Sequence, residues 1–368
     1  MFTIYNKRGK ARLSKLHLKH GVVELPAFMP VGTCGCVKGL TFDLLKSTGS
    51  QIVLGNTYHL MLGGAAEKID SFGGLQNFMH WDGPILTDSG GFQIMSLSSL
   101  RKITEEGVQF RSHINGEKYF LTPERSIKIQ KMLNADITMV LDECVGYPVS
   151  YKKAKEAMTL STRWAQRCKD TFCKRDGYML FGIVQGGMFE DLRRESAKQL
   201  TEIGFDGYAV GGLAVGEGLK KMVEVLDYIP DLLPDNKPKY VMGIGKPIDI
   251  LSAVIRGVDM FDCILPTRNA RHGQVYTRTG IVRIGSSKHT LIKEPLDLKC
   301  RCFACQNHSI GYLHHLFKAK EILSATLLTV HNLMFYQDMM KSIRRAIVED
   351  SLEDIVALTS KDDYTWVK

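Results

Sequence analysis

Short apolar segments alternate with longer segments of helical periodicity along most of this sequence, and the alternation limits the possible folds more than any other feature. Strands are predicted at 51–54, 84–87, 137–141, 178–184, 207–210, 239–242 and 258–261, and helices at 122–133, 151–173, 191–203, 219–228 and 247–256. Continuously apolar strands between helices are typical of a parallel sheet covered on both faces. About eight such units predict an α/β protein, a (β/α)8 TIM barrel. An open, doubly wound sheet is less favoured, because no dinucleotide fingerprint follows the first predicted strand.

The alternation stops after Asp262, where a subdomain is predicted. Residues 264–310 contain a strand-like segment at 280–284 and a group of cysteines, and helices are expected to return at about Ser309. We therefore predict one catalytic barrel domain over residues 1–368, with a metal-binding subdomain at 281–335. No apolar run is long enough to span a membrane, and the basic amino terminus lacks the apolar core of a signal peptide. A cytoplasmic location is expected.

Positive charge is concentrated in one segment of the chain. The formal net charge is +9, and residues 264–346 alone hold 13 Lys and Arg against 4 Asp and Glu. A local excess of this kind suggests a polyanionic partner such as nucleic acid, although moderately basic enzymes without such a partner are common.

Polar or glycine-rich motifs follow most of the predicted strands. They are Asp88-Ser-Gly-Gly-Phe-Gln93, Asp142-Glu-Cys144, Gln185-Gly-Gly187, Gly211-Gly-Leu-Ala-Val-Gly216, Gly243-Ile-Gly245 and Asp262-Cys263. The carboxyl ends of strands carry the chemistry in parallel α/β folds. One polar residue at such a position is usually a turn into a helix, but six motifs with three aspartates indicate an active site.

Three of the nine cysteines lie close together, as Cys300, Cys302 and Cys305. Disulfides are not expected without a secretory signal, so this C-x-C-x₂-C motif predicts three ligands of a structural Zn²⁺ ion, one per subunit. Candidates for the fourth ligand are His308, His314, His315 and His331. An unpaired imidazole would be costly at His331, because this residue lies in an apolar segment predicted as a helix over 327–340.

Taken together, the motifs resemble the bacterial tRNA-guanine transglycosylase (queuine tRNA-ribosyltransferase) family. The resemblance rests on the Asp88, Asp142 and Gly211 motifs, on Phe261-Asp-Cys-Ile-Leu-Pro-Thr-Arg-Asn-Ala-Arg271, and on the cysteine motif with His331. It implies an irregular (β/α)8 barrel with a zinc subdomain near the carboxyl end, in which His331 is the fourth ligand. It also implies exchange of the wobble guanine in tRNAs with a GUN anticodon (Asp, Asn, His and Tyr) for a 7-deazaguanine base in queuosine biosynthesis.

The resemblance also assigns roles in catalysis and base recognition. Asp262 matches the nucleophile and Asp88 the general acid/base. Replacement of a base with retained configuration requires two displacements, through a covalent ribosyl-aspartate. Asp142 matches the acceptor for the N–H groups of the base, while Gln185 and the Gly212 N–H match the groups that face its carbonyl. Phe92 matches the aromatic stacking position, with Met242 on the other face of the base. The other positions that match base contacts are Ser89, Gly90, Gly91, Cys144, Gly211, Leu213 and Val215.

Cys144 and Val215 match the bacterial form of the family, which accepts 7-aminomethyl-7-deazaguanine. A valine at position 215 would block the bulkier substituent of queuine. Two segments match regions of the family that contact tRNA. They consist of Gly243, Ile244, Gly245, Lys246, Pro247, Ile248 and Asp249, and of Thr267, Arg268, Asn269, Ala270 and Arg271.

The family also implies a homodimer with the anticodon stem-loop of tRNA as its partner. Two alternatives remain at this point: a non-catalytic tRNA-binding partner subunit of the same fold, and a zinc-bearing RNA-binding module on an inert barrel. A non-catalytic subunit can dispense with the active-site carboxylates, whereas this sequence has Asp88, Asp142 and Asp262 together.

Overall fold

A nearly closed barrel of parallel strands surrounded by helices forms the centre of the protein. The computed structural model describes residues 1–97 and 101–352, and it confirms the predicted α/β barrel. Its strands are β1 (Phe2–Arg8), β2 (Ala11–Leu18), β3 (Gly21–Leu25), β4 (Ala27–Met29), β5 (Val31–Gly32), β6 (Val53–Gly55), β7 (Ile85–Thr87), β8 (Arg101–Ile103), β9 (Val108–Arg111), β10 (Lys118–Leu121), β11 (Ile137–Met139), β12 (Met179–Val184), β13 (Gly207–Val210), β14 (Lys239–Val241), β15 (Met260–Asp262), β16 (Gln274–Thr277) and β17 (Gly280–Arg283).

The helices that accompany these strands fill most of the connections. They are α1 (Phe42–Ser47), α2 (Thr57–Met61), α3 (Ala65–Ser71), α4 (Leu75–Met79), α5 (Gly91–Leu97), α6 (Pro123–Met132), α7 (Tyr151–Thr171), α8 (Glu190–Ile203), α9 (Gly218–Leu226), α10 (Ile229–Leu232), α11 (Pro247–Val254), α12 (Leu265–Arg271), α13 (Phe303–Asn307), α14 (Ile310–Lys318) and α15 (Ile322–Glu349), with 3₁₀ turns at Leu62–Gly64 and Ser287–His289. The described helices include none that is both long and apolar enough to cross a membrane.

The order of the barrel sheet is β4-β15-β14-β13-β12-β11-β7-β6-β5, and every neighbouring pair is parallel. Its two ends, β4 and β5, are consecutive in the chain and are separated only by Pro30. Because β4 pairs with β15 and β5 pairs with β6, the segment 27–32 completes the ring. This strand was not predicted, since proline lacks the N–H donor that a continuous strand uses.

The seven predicted strands are all present, with ends that differ by at most two residues. The difference matters at β15, which was expected to end at Phe261 and in fact includes Asp262. The predicted helix at 219–228 corresponds to α9, which ends at Leu226, and a separate short helix, α10, begins just beyond it at Ile229. The apolar helix predicted at 327–340 is the central part of α15, which has 28 residues.

In the described part of the chain, three small antiparallel sheets lie outside the barrel sheet. The sheets β1-β2-β3 and β10-β9-β8 were not predicted, and β17 of the β16-β17 hairpin corresponds to the strand-like segment at 280–284. The expectation that helices return only at about Ser309 is wrong, because α12 begins at Leu265, just after β15, and α13 begins at Phe303. The side chain of Cys302 caps this helix by accepting a hydrogen bond from the Cys305 N–H.

A second apolar core lies beside the main one. It includes Ala270, Cys302, Leu313 and Leu328 and is formed largely by α13, α14, the start of α15 and the hairpin. The extent of the catalytic domain over 1–368 and of its subdomain over 281–335 stays a prediction. Of that span, residues 98–100 and 353–368 lie outside the described residues.

Candidate active site

Three carboxylates meet at the carboxyl ends of the barrel strands. Asp88 follows β7 directly, Asp142 lies just beyond β11, and Asp262 is the last residue of β15. The negative charges of Asp262 and Asp142 both raise the pKa of Asp88, which places the three groups within electrostatic reach of one another. The fold thus brings together the residues that the strand-end pattern singled out.

Asp88 is nearly enclosed and held from the end of β6. Its Oδ2 accepts a hydrogen bond from Asn56 Nδ2 at 2.7 Å, and its Oδ1 accepts one from the Thr57 N–H at 2.8 Å. Burial raises its pKa to about 7; the Thr57 N–H opposes this rise and the charge of Asp262 adds to it. A carboxyl group of this kind can give or take a proton near neutral pH, as a general acid/base must.

Asp142 is also buried, and its two oxygens have separate partners. Oδ1 accepts from the Ser89 hydroxyl at 3.3 Å, and Oδ2 accepts from Gln185 Nε2 at 2.6 Å. Burial raises the pKa of Asp142 to about 6, and these two hydrogen bonds oppose the rise. Gln185 Oε1 is buried and has no partner among the described residues. The amide also retains a second N–H, because Nε2 carries two hydrogens.

Close backbone approach explains the glycines in two of the motifs. A Cβ atom at Gly91 would lie 2.6 Å from the Asp142 carbonyl oxygen and 3.0 Å from its Oδ1. At Gly211 and Gly212 a Cβ would lie 2.7 and 2.8 Å from the amide group of Gln185, and Gly212 has φ +64°. Larger residues would therefore displace the side chains that line the site.

Asp262 has a different environment, because one of its two oxygens accepts both of its hydrogen bonds. The Tyr240 hydroxyl donates to Oδ1 at 2.5 Å and the Gly243 N–H donates to the same atom at 2.8 Å. Within the described part of the chain, no hydrogen bond reaches Oδ2. Asp262 is partly accessible; desolvation raises its pKa, and the hydrogen bonds from Tyr240 and Gly243 oppose that rise. An oriented carboxylate with one uncommitted oxygen can act as a nucleophile.

The loop after β13 is held from two sides. Arg193 donates to the carbonyls of Gly211 and Gly212, at 3.0 and 3.4 Å. Glu217 accepts from the N–H groups of Ala214 and Val215, at 2.6 and 2.9 Å.

Sequence reasoning missed five residues that support the site: Asn56, Thr57, Arg193, Glu217 and Tyr240. Asn56 and Thr57 follow β6 as polar strand-end residues, which is a usable signal, and Glu217 directly follows the Gly211–Gly216 motif. Tyr240 and Arg193 lie within a predicted strand and a predicted helix, where nothing distinguishes them from core residues.

A cavity of about 250 Å³ opens beside Asp142. Gly91, Cys144, Tyr147 and Lys153 are among its lining residues, and within the described ranges the lining includes neither Asp88 nor Asp262. Cys144 thus lies beside Asp142 in this cavity, and its contact with a base stays a prediction. The resemblance also places Gly90, Phe92, Leu213, Val215 and Met242 around the base. The side chain of Leu213 is buried, whereas Phe92 is exposed on the first turn of α5.

The two segments expected to contact tRNA are only partly available to a ligand. In 243–249, Lys246 is exposed at the N-cap of α11, but the side chains of Ile244 and Pro247 are buried. In 267–271, which belongs to α12, Arg268 is exposed and Arg271 is partly exposed, whereas Thr267 and Ala270 are buried. Any contact by the buried residues would have to use their backbone.

The cysteine cluster forms a candidate metal centre. Ligand atoms of Cys300, Cys302, Cys305 and His331 all lie within 4.8 Å of one another, and all four residues are buried. His331 Nδ1 lies 3.6 Å from Cys302 Sγ and 3.2 Å from Cys305 Sγ, while its Nε2 lies 2.8 Å from the Tyr276 carbonyl. The carbonyl thus orients the ring with Nδ1 towards the thiols.

The other histidine candidates lie outside this cluster. His314 Nδ1 is 2.7 Å from the Ile284 carbonyl oxygen, and neither His308 nor His315 is among the four residues that converge. Of the four histidines that the sequence leaves as candidates for the fourth ligand, His331 is the one that the fold brings to the cysteines.

Comparison with known proteins extends the motif resemblance to nearly the whole chain. A family model described as queuine tRNA-ribosyltransferase matches residues 7–364. The queuine tRNA-ribosyltransferase of Rickettsia bellii (strain OSU 85-389) is 57% identical over 346 residues, which cover 94% of this chain and 96% of the relative. Proteins of the same name from Rickettsia prowazekii (strain Madrid E) and Rickettsia akari (strain Hartford) are each 56% identical with the same coverage.

Proposed function

Because this chain belongs to the queuine tRNA-ribosyltransferase family, we propose that it exchanges the wobble guanine of tRNAs with a GUN anticodon (Asp, Asn, His and Tyr) for 7-aminomethyl-7-deazaguanine. Members of the family are enzymes of the glycosyltransferase (pentosyltransferase) class that act on tRNA, and this chain is one of them. The geometry that best supports the finer assignment is the convergence of Asp88, Asp142 and Asp262 at one end of the barrel.

The first chemical step uses Asp262 and Asp88 in opposite protonation states. Asp262 Oδ2 attacks C1′ of the wobble nucleotide, the bond from C1′ to guanine breaks, and Asp88 gives its proton to the departing base. The Tyr240 and Gly243 donors keep Oδ1 occupied, which directs attack through Oδ2. The pKa of about 7 for Asp88 supplies a protonated carboxyl at neutral pH.

The second step reverses the first with a different base. The incoming 7-deazaguanine loses its proton to Asp88, attacks C1′, and displaces the Asp262 carboxylate. Two displacements retain the configuration at C1′ and return both carboxyl groups to their starting states, so no co-reactant is consumed.

Recognition of the base depends on the hydrogen-bond acceptors and donors around Asp142. Its carboxylate accepts from the N–H groups of the base, the second N–H of Gln185 and the Gly212 N–H face the base carbonyl, and Phe92 and Met242 cover its two faces. Cys144 and Val215 limit the space beside the substituent at position 7. This favours the small aminomethyl group over the cyclopentenediol of queuine.

Four soft or borderline donors fit a structural Zn²⁺ ion in the candidate metal centre. Three thiolates and one imidazole are a standard tetrahedral set with no open position. We place one Zn²⁺ per subunit on Cys300, Cys302, Cys305 and His331, where it would supply folding energy to the subdomain and no catalytic chemistry.

The remaining proposals concern the partners and location of the enzyme. The anticodon stem-loop of tRNA would approach the exposed Lys246 and Arg268 and the partly exposed Arg271, whose charges suit phosphates and splayed loop bases. We also propose a homodimer, which the family resemblance implies, and a cytoplasmic location. Of the alternatives, a non-catalytic partner subunit is disfavoured by the complete carboxylate set, and an inert RNA-binding barrel leaves that set unexplained.

Exchange of radiolabelled guanine into unmodified tRNA-Tyr or tRNA-Asp tests the proposal. We expect incorporation by the parent protein and none by Asp262→Ala, while tRNA binding persists in both. Binding of tRNA without any exchange by the parent protein would instead support one of the non-catalytic alternatives.

A further inference from the structure

Arg193 is a fully buried cation on α8 that forms no ion pair in the described part of the chain. Burial lowers its pKa to about 10, so the guanidinium remains charged at neutral pH. A buried charge without a counter-ion is costly, and such a group persists where its hydrogen bonds offset that cost. The partners of Arg193 therefore indicate what it does.

Each of those partners is a backbone carbonyl in one of two glycine loops. Arg193 Nε donates to Gly187 at 2.6 Å, and Nη2 donates to Gly211 at 3.0 Å and to Gly212 at 3.4 Å. These loops follow β12 and β13, the adjacent strands that carry Gln185 and the Gly211 motif. A planar fork with five N–H donors is suited to holding two loops in one relative position.

The hydrogen bond to Gly211 also fixes the direction of a neighbouring donor. The peptide bond between Gly211 and Gly212 is planar and trans, so its carbonyl and its N–H point in opposite directions. With the carbonyl turned towards Arg193, the Gly212 N–H must point away from it. The Cys144 thiol lies within hydrogen-bonding reach of that N–H, and Cys144 lines the cavity beside Asp142.

Side chains of the loop itself cannot provide this orientation. Gly211 and Gly212 have none, and the Gln185 amide leaves no space for a Cβ at either position. A two-glycine segment has many accessible conformations, so an external group must select one of them. Arg193 is the group that contacts both carbonyls.

We infer that Arg193 is a positioning residue for base recognition, which holds the Gly211–Gly212 peptide so that the Gly212 N–H points at the carbonyl of the bound base. The inference rests on the proposed function and adds a residue to it. It predicts that Arg193 affects the part of base affinity that depends on the carbonyl and leaves the Asp142 contacts intact.

A comparison of two bases isolates the part of the affinity that depends on the carbonyl. Guanine and 6-thioguanine present the same N–H groups to Asp142, but the thione is a much weaker acceptor than the carbonyl. Dissociation constants for both bases are measured with the parent protein, with Arg193→Met, and with Arg194→Met as the matched control. Arg194 is the exposed neighbour on the same helix and pairs with Glu190.

The expected result is a selective loss. In Arg193→Met the dissociation constant for guanine rises by about tenfold, as for one lost buried hydrogen bond, whereas that for 6-thioguanine changes by less than about twofold. Arg194→Met leaves both constants unchanged. Equal losses for the two bases, or no loss for either, would overturn the inference by reducing Arg193 to a general structural role.

A conservative variant covers the case in which Arg193→Met does not fold. Arg193→Lys keeps the charge and can reach one carbonyl. Its preference for guanine over 6-thioguanine should therefore lie between the preferences of the parent protein and of a variant without this side-chain charge. Failure of both variants to fold would assign Arg193 to barrel stability and overturn the positioning role. A parent protein that binds neither base would instead refute the proposed function, which separates the two failures.

Discussion

Removal of the Tyr240 hydroxyl should change the pH dependence of the first chemical step in a predictable direction. That step needs Asp262 ionised and Asp88 protonated, so its rate should follow a bell-shaped curve. The acidic limb of this curve reflects the ionisation of Asp262, and the alkaline limb, near pH 7, reflects the ionisation of Asp88. Tyr240 stabilises ionised Asp262 through a hydrogen bond of 2.5 Å to Oδ1, and this bond lowers the Asp262 pKa against the effect of desolvation.

The size of the effect follows from the strength of that bond. A hydrogen bond to a charged group contributes about 1.5–3 kcal/mol, and about 1.4 kcal/mol corresponds to one pKa unit. Tyr240→Phe should therefore move the acidic limb upward by about 1–2 pH units, because only the Gly243 N–H remains on Oδ1. The alkaline limb should move little, since Asn56 and Thr57 still hold Asp88.

Single-turnover formation of the tRNA–enzyme adduct across pH 4–9 would measure both limbs. Tyr208→Phe is the matched control, because Tyr208 is a buried tyrosine on the adjacent strand β13 whose hydroxyl accepts from the Phe205 N–H. An acidic limb that stays in place or moves downward in Tyr240→Phe would refute the reasoning. So would an equal shift in Tyr208→Phe.

Three further outcomes test other parts of the site. Gly91→Ala should weaken guanine binding by roughly tenfold or more, because its Cβ would lie 2.6 Å from the Asp142 carbonyl oxygen. Gly146→Ala is the control, since a Cβ there has open space in the same cavity and should leave binding unchanged. Equal affinities of the two variants for guanine, measured by calorimetry, would contradict this. Val215→Gly should accept queuine better than the parent protein does in a base-exchange assay, and the absence of any gain would contradict the assignment of the small substrate. His331→Ala should lose the proposed zinc ion, measured by elemental analysis, and should melt at a lower temperature; full zinc content would remove His331 from the site.

Local sequence patterns were sufficient to predict the barrel and its strand-end carboxylates. Six buried parallel strands and the last one, β15, have enough consecutive apolar residues to be recognised individually. The segment 27–32 does not, because Pro30 divides it into two pieces of three and two residues. Its strand character comes from pairing with β15 and β6, which are distant in sequence.

The contacts that tune the carboxylates were beyond prediction from single segments. Asn56 and Asp88 are 32 positions apart, and Tyr240 and Asp262 are 22 apart; each pair meets only because parallel strands end at the same side of the barrel. In the sequence, Arg193 looks like any other polar residue of an amphipathic helix. It is buried because the neighbouring loops at Gly187 and at Gly211–Gly212 have no side chains and leave space for its guanidinium.

Identification of the residue that carries the ribosyl group tests the central claim most directly. The enzyme is mixed with a GUN-anticodon tRNA without added base, denatured rapidly, digested with nuclease and protease, and analysed by mass spectrometry. We predict a ribosyl-linked fragment on the peptide that contains Asp262, and no adduct from Asp262→Asn. An adduct on any other residue, or guanine exchange that persists in Asp262→Asn, would contradict the account.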